Sequence, residues 1–280
     1  MTDEEFFQEA DVGRLAEAHA EKLQSLSEEE AARILSAYKR ARQDLSDRLQ
    51  LVRGGTFTES QLRGTLAQVD AGIAELSNIL GEEMGQSAFA AAGLGIEHLF
   101  SELRSWNKSF TGSVVPISVD AVRVAADTRN LLLNKYESSI DSYSSSLRSR
   151  IAYGLTDAAI QTMSMGEVIS KLSKTFLGEQ WKLEQIVRTE LSNIYSTGKL
   201  NAMGELVESD IPDLMKTLWH PMDSRTGKDS KRLAQNNPIV PVDEPFVEDS
   251  TGKTLTYMAP PNRPNDRAIM IPYRKAWAET

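Results

Sequence analysis

Residues 61–80 read QLRGTLAQVDAGIAELSNIL. Their apolar members Leu62, Leu66, Val69, Ile73, Leu76 and Leu80 follow one another at alternating steps of four and three. Such spacing lines one side of an α-helix and suits packing against one or two neighbouring helices. The seam spans fewer than three heptads, so a helical hairpin or bundle is expected rather than a long coiled coil. Self-association of two copies through Leu62–Leu80 is the intermolecular alternative.

The surrounding sequence extends the helical reading. Upstream, Ser27 with Glu30 matches a capping box, in which hydroxyl and carboxylate satisfy each other's backbone N–H groups. It predicts a helix start there, followed by Leu35, Tyr38, Leu45, Leu49 and Val52 at helical spacing, and ended by Gly54-Gly55. Thr58 with Gln61 repeats the capping pattern. Downstream, the small residues of 84–95, including Ala90 to Gly93, permit close helix contact or mark a bend. Ile96, Leu99, Phe100, Leu103 and Trp106 continue the apolar run until Val114-Val115-Pro116-Ile117 breaks it. Residues 118–152 carry the stripe Ile140, Tyr143, Leu147 and Ile151, which favours helix over a serine-rich linker. Ser164 and Glu167 cap a helix predicted through Phe176, and another is predicted from about Trp181 to Val207.

After Pro212 the texture changes to proline, polar loops and short β-like runs, among them Thr254 to Tyr257 and Ala268 to Pro272. The expected fold is therefore mainly α. A helical N-terminal region of hairpins or a bundle (1–150) precedes a small irregular α+β module with short strands (151–280).

Composition narrows the function classes. The chain has no cysteine, which excludes disulfides and thiolate metal sites, and its three histidines, His19, His98 and His220, lie far apart in sequence. No metal site is expected. Of the net charge of −9, residues 1–30 carry −8, with ten acidic residues against Arg14 and Lys22. No basic stripe accompanies them, so sequence-specific nucleic-acid binding is disfavoured. No window is long and apolar enough for a membrane span. The acidic start, Met1 to Glu5, lacks the basic and apolar segments of a secretory signal, so retention in the cytoplasm or export inside an assembly is expected. There is no phosphate-cradling Gly-rich loop followed by Lys-Ser/Thr and no Gly-x-Ser-x-Gly elbow. Hence no cofactor is expected.

One helix carries an anomaly. Leu183, Ile186, Val187 and Ile194 mark its apolar stripe, and Glu190 falls inside it. A carboxylate on an apolar face is costly unless paired, which predicts a cationic partner, Arg225 or Arg267, from the irregular tail. With no matched acid–base set nearby, the structural reading, a clamp between helix and tail, outweighs a catalytic one. Trp219 then precedes a turn-forming segment, Asp223-Ser224-Arg225-Thr226-Gly227, and Pro260 to Arg267 precedes the last apolar run.

In order, Arg188-Thr189-Glu190, Trp219, Asp223-x-Arg225-Thr226, the Pro241 to Phe246 loop and Pro264-Asn265-Asp266-Arg267 resemble the Mu F-like phage head morphogenesis domain, over roughly residues 150–275. Many members of that family carry Cys or His in the Asp-x-Arg-Thr segment and an Asn-Cys-Arg-Cys ending. Here Ser230 falls near the usual histidine, and Asp266 and Ala268 replace the cysteines. The resemblance implies a non-enzymatic minor head protein of a tailed phage, resident in the virion near the portal or inner shell and in the host cytoplasm during assembly. Its implied partners are the portal protein, the major capsid protein or both, with ejection alongside the DNA as a further implication. Two alternatives accompany it: an internal scaffolding protein, and an ADP-ribosyltransferase-type effector.

Overall fold

The computed structural model describes residues 10–50, 59–221, 238–250, 253–261 and 267–278. Four long helices come first: α1 (Ala10–Gln50), α2 (Glu59–Thr111), α3 (Ala121–Ile160) and α4 (Met165–Ser209). Short strands follow: β1 (Leu214–Trp219), β2 (Val240–Pro241), β3 (Phe246–Ser250), β4 (Lys253–Tyr257) and β5 (Ile269–Arg274), then one turn of helix, α5 (Lys275–Ala278). The chain is mainly α with a small sheet region at its C-terminal end.

Two compact units emerge, each assembled from separate stretches: Met1–Glu28, Ser87–Leu132 and Arg188–Thr280 in the first, Glu29–Gln86 and Leu133–Val187 in the second. The boundary read from sequence at 150/151 lies inside α3, and the units interleave instead of following one another.

In the second unit the seam of α2 is occupied by the chain's own residues. Val69, Ile73, Leu76 and Leu80 are buried, as are Ile34, Leu35 and Tyr38 of α1, the α3 stripe Ile140, Tyr143, Leu147 and Ile151, and Val168, Leu172, Phe176 and Leu183 of α4. These seam positions are therefore not open to a second copy. Tyr38 donates to the Phe176 carbonyl at 3.0 Å, and Arg148 grips Asp70 through two nitrogens at 2.6 and 2.7 Å. The predicted cap of α4 is present: Ser164 N and Oγ each donate to Glu167 at 2.8 Å.

Two predicted helix ends are absent. Ser27 lies inside the uninterrupted α1, and Glu30 pairs with Arg33 one turn on, at 2.5 Å. The capping pattern is local, and nothing in the run before it stops a helix. Likewise α4 runs through Leu177 to Gln180 without a break. Gly178 disfavours helix by about 1 kcal/mol, but Phe176, Glu179 and Leu183 on either side are all buried, and that packing decides. Gly54-Gly55 and Thr58 lie outside the described residues.

In the first unit, β1 is the centre of an antiparallel sheet of order β2-β1-β5, while β3 and β4 form a separate hairpin. β5 pairs with β1 along its length, Leu214 opposite Arg274 and Trp219 opposite Ile269. Sequence periodicity located β4 and β5 but not β1, whose Lys216 and Thr217 interrupt an otherwise apolar run and are nonetheless buried. The sheet is tied to α2 by one polar knot. Arg274 donates to Asp213 at 2.8–3.2 Å and to Asn107 Oδ1 at 2.6 Å, and the Trp277 indole N–H donates to the same oxygen at 3.2 Å. Trp277 also meets Trp106 edge to face at 6.0 Å.

Within this unit α2 and α4 cross at two glycines. A Cβ on Gly95 would lie 2.2 Å from the Tyr195 carbonyl oxygen, and one on Gly198 would lie 2.9 Å from that of Ala92. The small-residue stretch thus serves close contact. Nothing lies within 4 Å of a Cβ on Gly93. Gly95→Ala is expected to destabilise the chain by roughly 1–3 kcal/mol, as overpacking against backbone does. Gly93→Ala should stabilise it by roughly 0.5–1 kcal/mol through helix propensity. Denaturant unfolding of the two variants checks the opposite signs.

Candidate functional site

The crossing of α2 and α4 is followed by a cluster of buried charges. One turn beyond Gly95 come His98 and, four residues on, Glu102; opposite them on α4 stand Tyr195 and Lys199, also four apart. Glu102 and Lys199 have no solvent exposure at all, and His98 and His19 of α1 are buried. The Lys199 ammonium donates to Glu102 Oε1 at 2.7 Å and lies 2.6 Å from Oε2. His19 Nδ1 is 2.8 Å from Oε1. An ionised carboxylate only accepts, which places the proton on Nδ1 of His19. His98 Nδ1 lies 2.8 Å from the Tyr195 hydroxyl, and its ring stacks on His19 at 3.7 Å and 6°.

Burial dominates the titration of Lys199, Tyr195 and His98. It holds Lys199 below the ordinary lysine value against the opposing pull of Glu102, and raises the Tyr195 phenol well above its usual range. His98 is pushed down to about 2, first by burial, then by the charges of His19, Lys199 and Lys22. A neutral imidazole, a matched ion pair and no solvent access make this a packing centre. The histidines are remote in sequence, and the readable signal was subtler: His98 and Glu102, four apart, lie beside the apolar Leu99 and Leu103, and Tyr195 and Lys199 repeat that spacing.

A second buried lysine went unread. Lys216 in the central strand donates to the carbonyls of Val242 and Met258, both at 2.9 Å, and lies 5.1 Å from the Phe246 ring centre. Burial brings it down to about 8, against the opposing pull of Asp243.

The sequence-predicted residues gather elsewhere in the first unit. Arg188 and Thr189 on α4, Trp219 at the end of β1 and Arg267 just ahead of β5 line one cleft of about 240 Å³. Its other wall is α1, through Glu17, Glu21, Gln24 and Ser27, and Pro221 and Pro261 complete it. Arg188 lies 3.8 Å from Glu28. Glu190 is half-buried on α4, outside the cleft lining, with Oε2 shielded from solvent and the side chain engaged in the fold, as is Arg267. Asp223, Arg225, Thr226 and Asn265 lie outside the described residues. Sequence order thus anticipated part of one wall, but not the contribution of α1.

No protein-family model, curated protein or solved structure matches the chain.

Two outcomes follow from the buried cluster. Glu102→Ala should cost about 3–5 kcal/mol, since it strands a buried ammonium, whereas Glu102→Met combined with Lys199→Met should cost much less; chemical denaturation of the single and double variants measures both. His98 is neutral in the fold but accepts a proton when unfolded. The unfolded state therefore binds more protons between its ordinary value of 6.5 and about 2. Stability due to His98 is full above pH 6.5 and is lost as pH falls, by up to about 1.4 kcal/mol per pH unit. Unfolding from pH 7 to 5 should be less pH-dependent in His98→Gln.

Proposed function

We propose that this chain is a non-enzymatic minor head protein of a tailed phage, of the Mu F-like kind, acting in head assembly beside the portal or inner shell. The observation that carries the reading is the ordered set Arg188-Thr189-Glu190, Trp219, Asp223-x-Arg225-Thr226 and Asn265-x-Arg267, of which Arg188, Thr189, Trp219 and Arg267 meet at one cleft. The deepest charges of the same unit support a structural role, because Glu102 and Lys199 neutralise each other where no substrate can reach. The proposed partners are the portal protein, the major capsid protein or both. No helix of the described residues is long and apolar enough to cross a membrane. The proposed location is the virion, with assembly in the host cytoplasm.

Mass spectrometry of mature particles made from the genome encoding this chain should find it at a few copies per particle. Its presence in immature heads and disappearance on maturation would favour an internal scaffold instead. Consumption of NAD by the purified chain would favour an ADP-ribosyltransferase.

A further inference from the structure

The cleft shared by α1, α4 and the ends of β1 and β5 has an uneven charge arrangement. Arg188 is matched by Glu28 at 3.8 Å, and Arg267 is engaged in the fold. Glu17 and Glu21, four residues apart on α1 and exposed, have no hydrogen-bond or ion-pair partner among the described residues. The half-buried Trp219 lines the same cleft, together with Pro221 and Pro261, which have no N–H to offer. Ser27, 5% exposed, also lines the cleft, and its hydroxyl is enclosed without a partner among the described residues, as is that of Thr189. Two unmatched carboxylates in a cleft that they share with an aromatic ring suit a cation, which the carboxylates attract and an indole face accepts. At about 240 Å³ the cleft is smaller than the roughly 300–1,000 Å³ typical of sites for whole small molecules. It fits one long side chain.

We propose that this cleft receives a single arginine or lysine side chain presented by an extended segment of a partner protein. The cationic head lies between Glu17 and Glu21 and the Trp219 ring, its aliphatic stem runs along Pro221 and Pro261, and the Ser27 and Thr189 hydroxyls, enclosed in the empty cleft, rotate to accept from its remaining N–H donors. The inference deepens the assembly reading by giving its partner a chemistry. Particle composition tests that reading and peptide titration tests this one, so each can fail alone.

The experiment is an NMR titration of the purified full chain, following the Trp219 indole N–H, assigned with Trp219→Phe. The probes are acetyl-Gly-Arg-Gly-amide, its citrulline counterpart and acetyl-Gly-Glu-Gly-amide. The arginine peptide should shift the indole signal, with at least tenfold weaker binding in the Glu17→Gln/Glu21→Gln double variant and weaker binding at high salt. The citrulline and glutamate peptides should leave the signal in place. Both substituted residues are exposed, so the double variant should keep the fold, and an unchanged circular dichroism melt verifies it. Equal response to arginine and citrulline, or affinity indifferent to the double substitution, overturns the proposal. Preference for the glutamate peptide also overturns it, assigning the cleft to Arg188 and Arg267.

Discussion

The first unit depends on how closely the backbones of α2 and α4 approach at Gly95 and Gly198. With no side chain between them, the helices bring the next turns, bearing His98, Glu102, Tyr195 and Lys199, within hydrogen-bond reach. The close crossing and the ion pair adjoin each other: the glycines set the distance between the helices, and the buried charges are tolerable because they are paired there. α1 joins the arrangement through His19, so three helices are registered by one carboxylate.

Much of the helical architecture was legible because it rests on periodicity. The Leu62–Leu80 seam, the α3 stripe and the Ser164–Glu167 cap each follow from residues within a turn or two of one another. Where the sequence misled, the deciding interaction came from elsewhere in the chain. Ser27–Glu30 has the form of a helix start, yet α1 continues through it; Gly178 looks like a stop, yet buried neighbours on both sides carry α4 past it. β1 escaped notice because Lys216 sits in its middle, and a lysine reads as surface unless the carbonyls of Val242 and Met258 that hold it are known.

The candidate site was legible to the extent that it follows sequence order. Arg188, Thr189, Trp219 and Arg267 could be named as a group from motif order, and they do share a cleft. The α1 wall could not, since Glu17 and Glu21 belong to an acidic N-terminal segment that on charge alone reads as a solvated helix face. Of the two arginines anticipated for Glu190, only Arg267 lies among the described residues, and both it and Glu190 are engaged in the fold.

The interleaving of the two units bears on the order in which the chain can acquire its folds during synthesis. Every stretch of the second unit has been translated once Val187 is made. The first unit joins residues before Glu28 to strands beyond Leu214, with Arg274 and Trp277 closing on Asn107. Its contacts are of long sequence separation, which slows folding. On the ribosome, therefore, the helical seam can be complete while the N-terminal segment of α1 still waits for the strands that complete its unit.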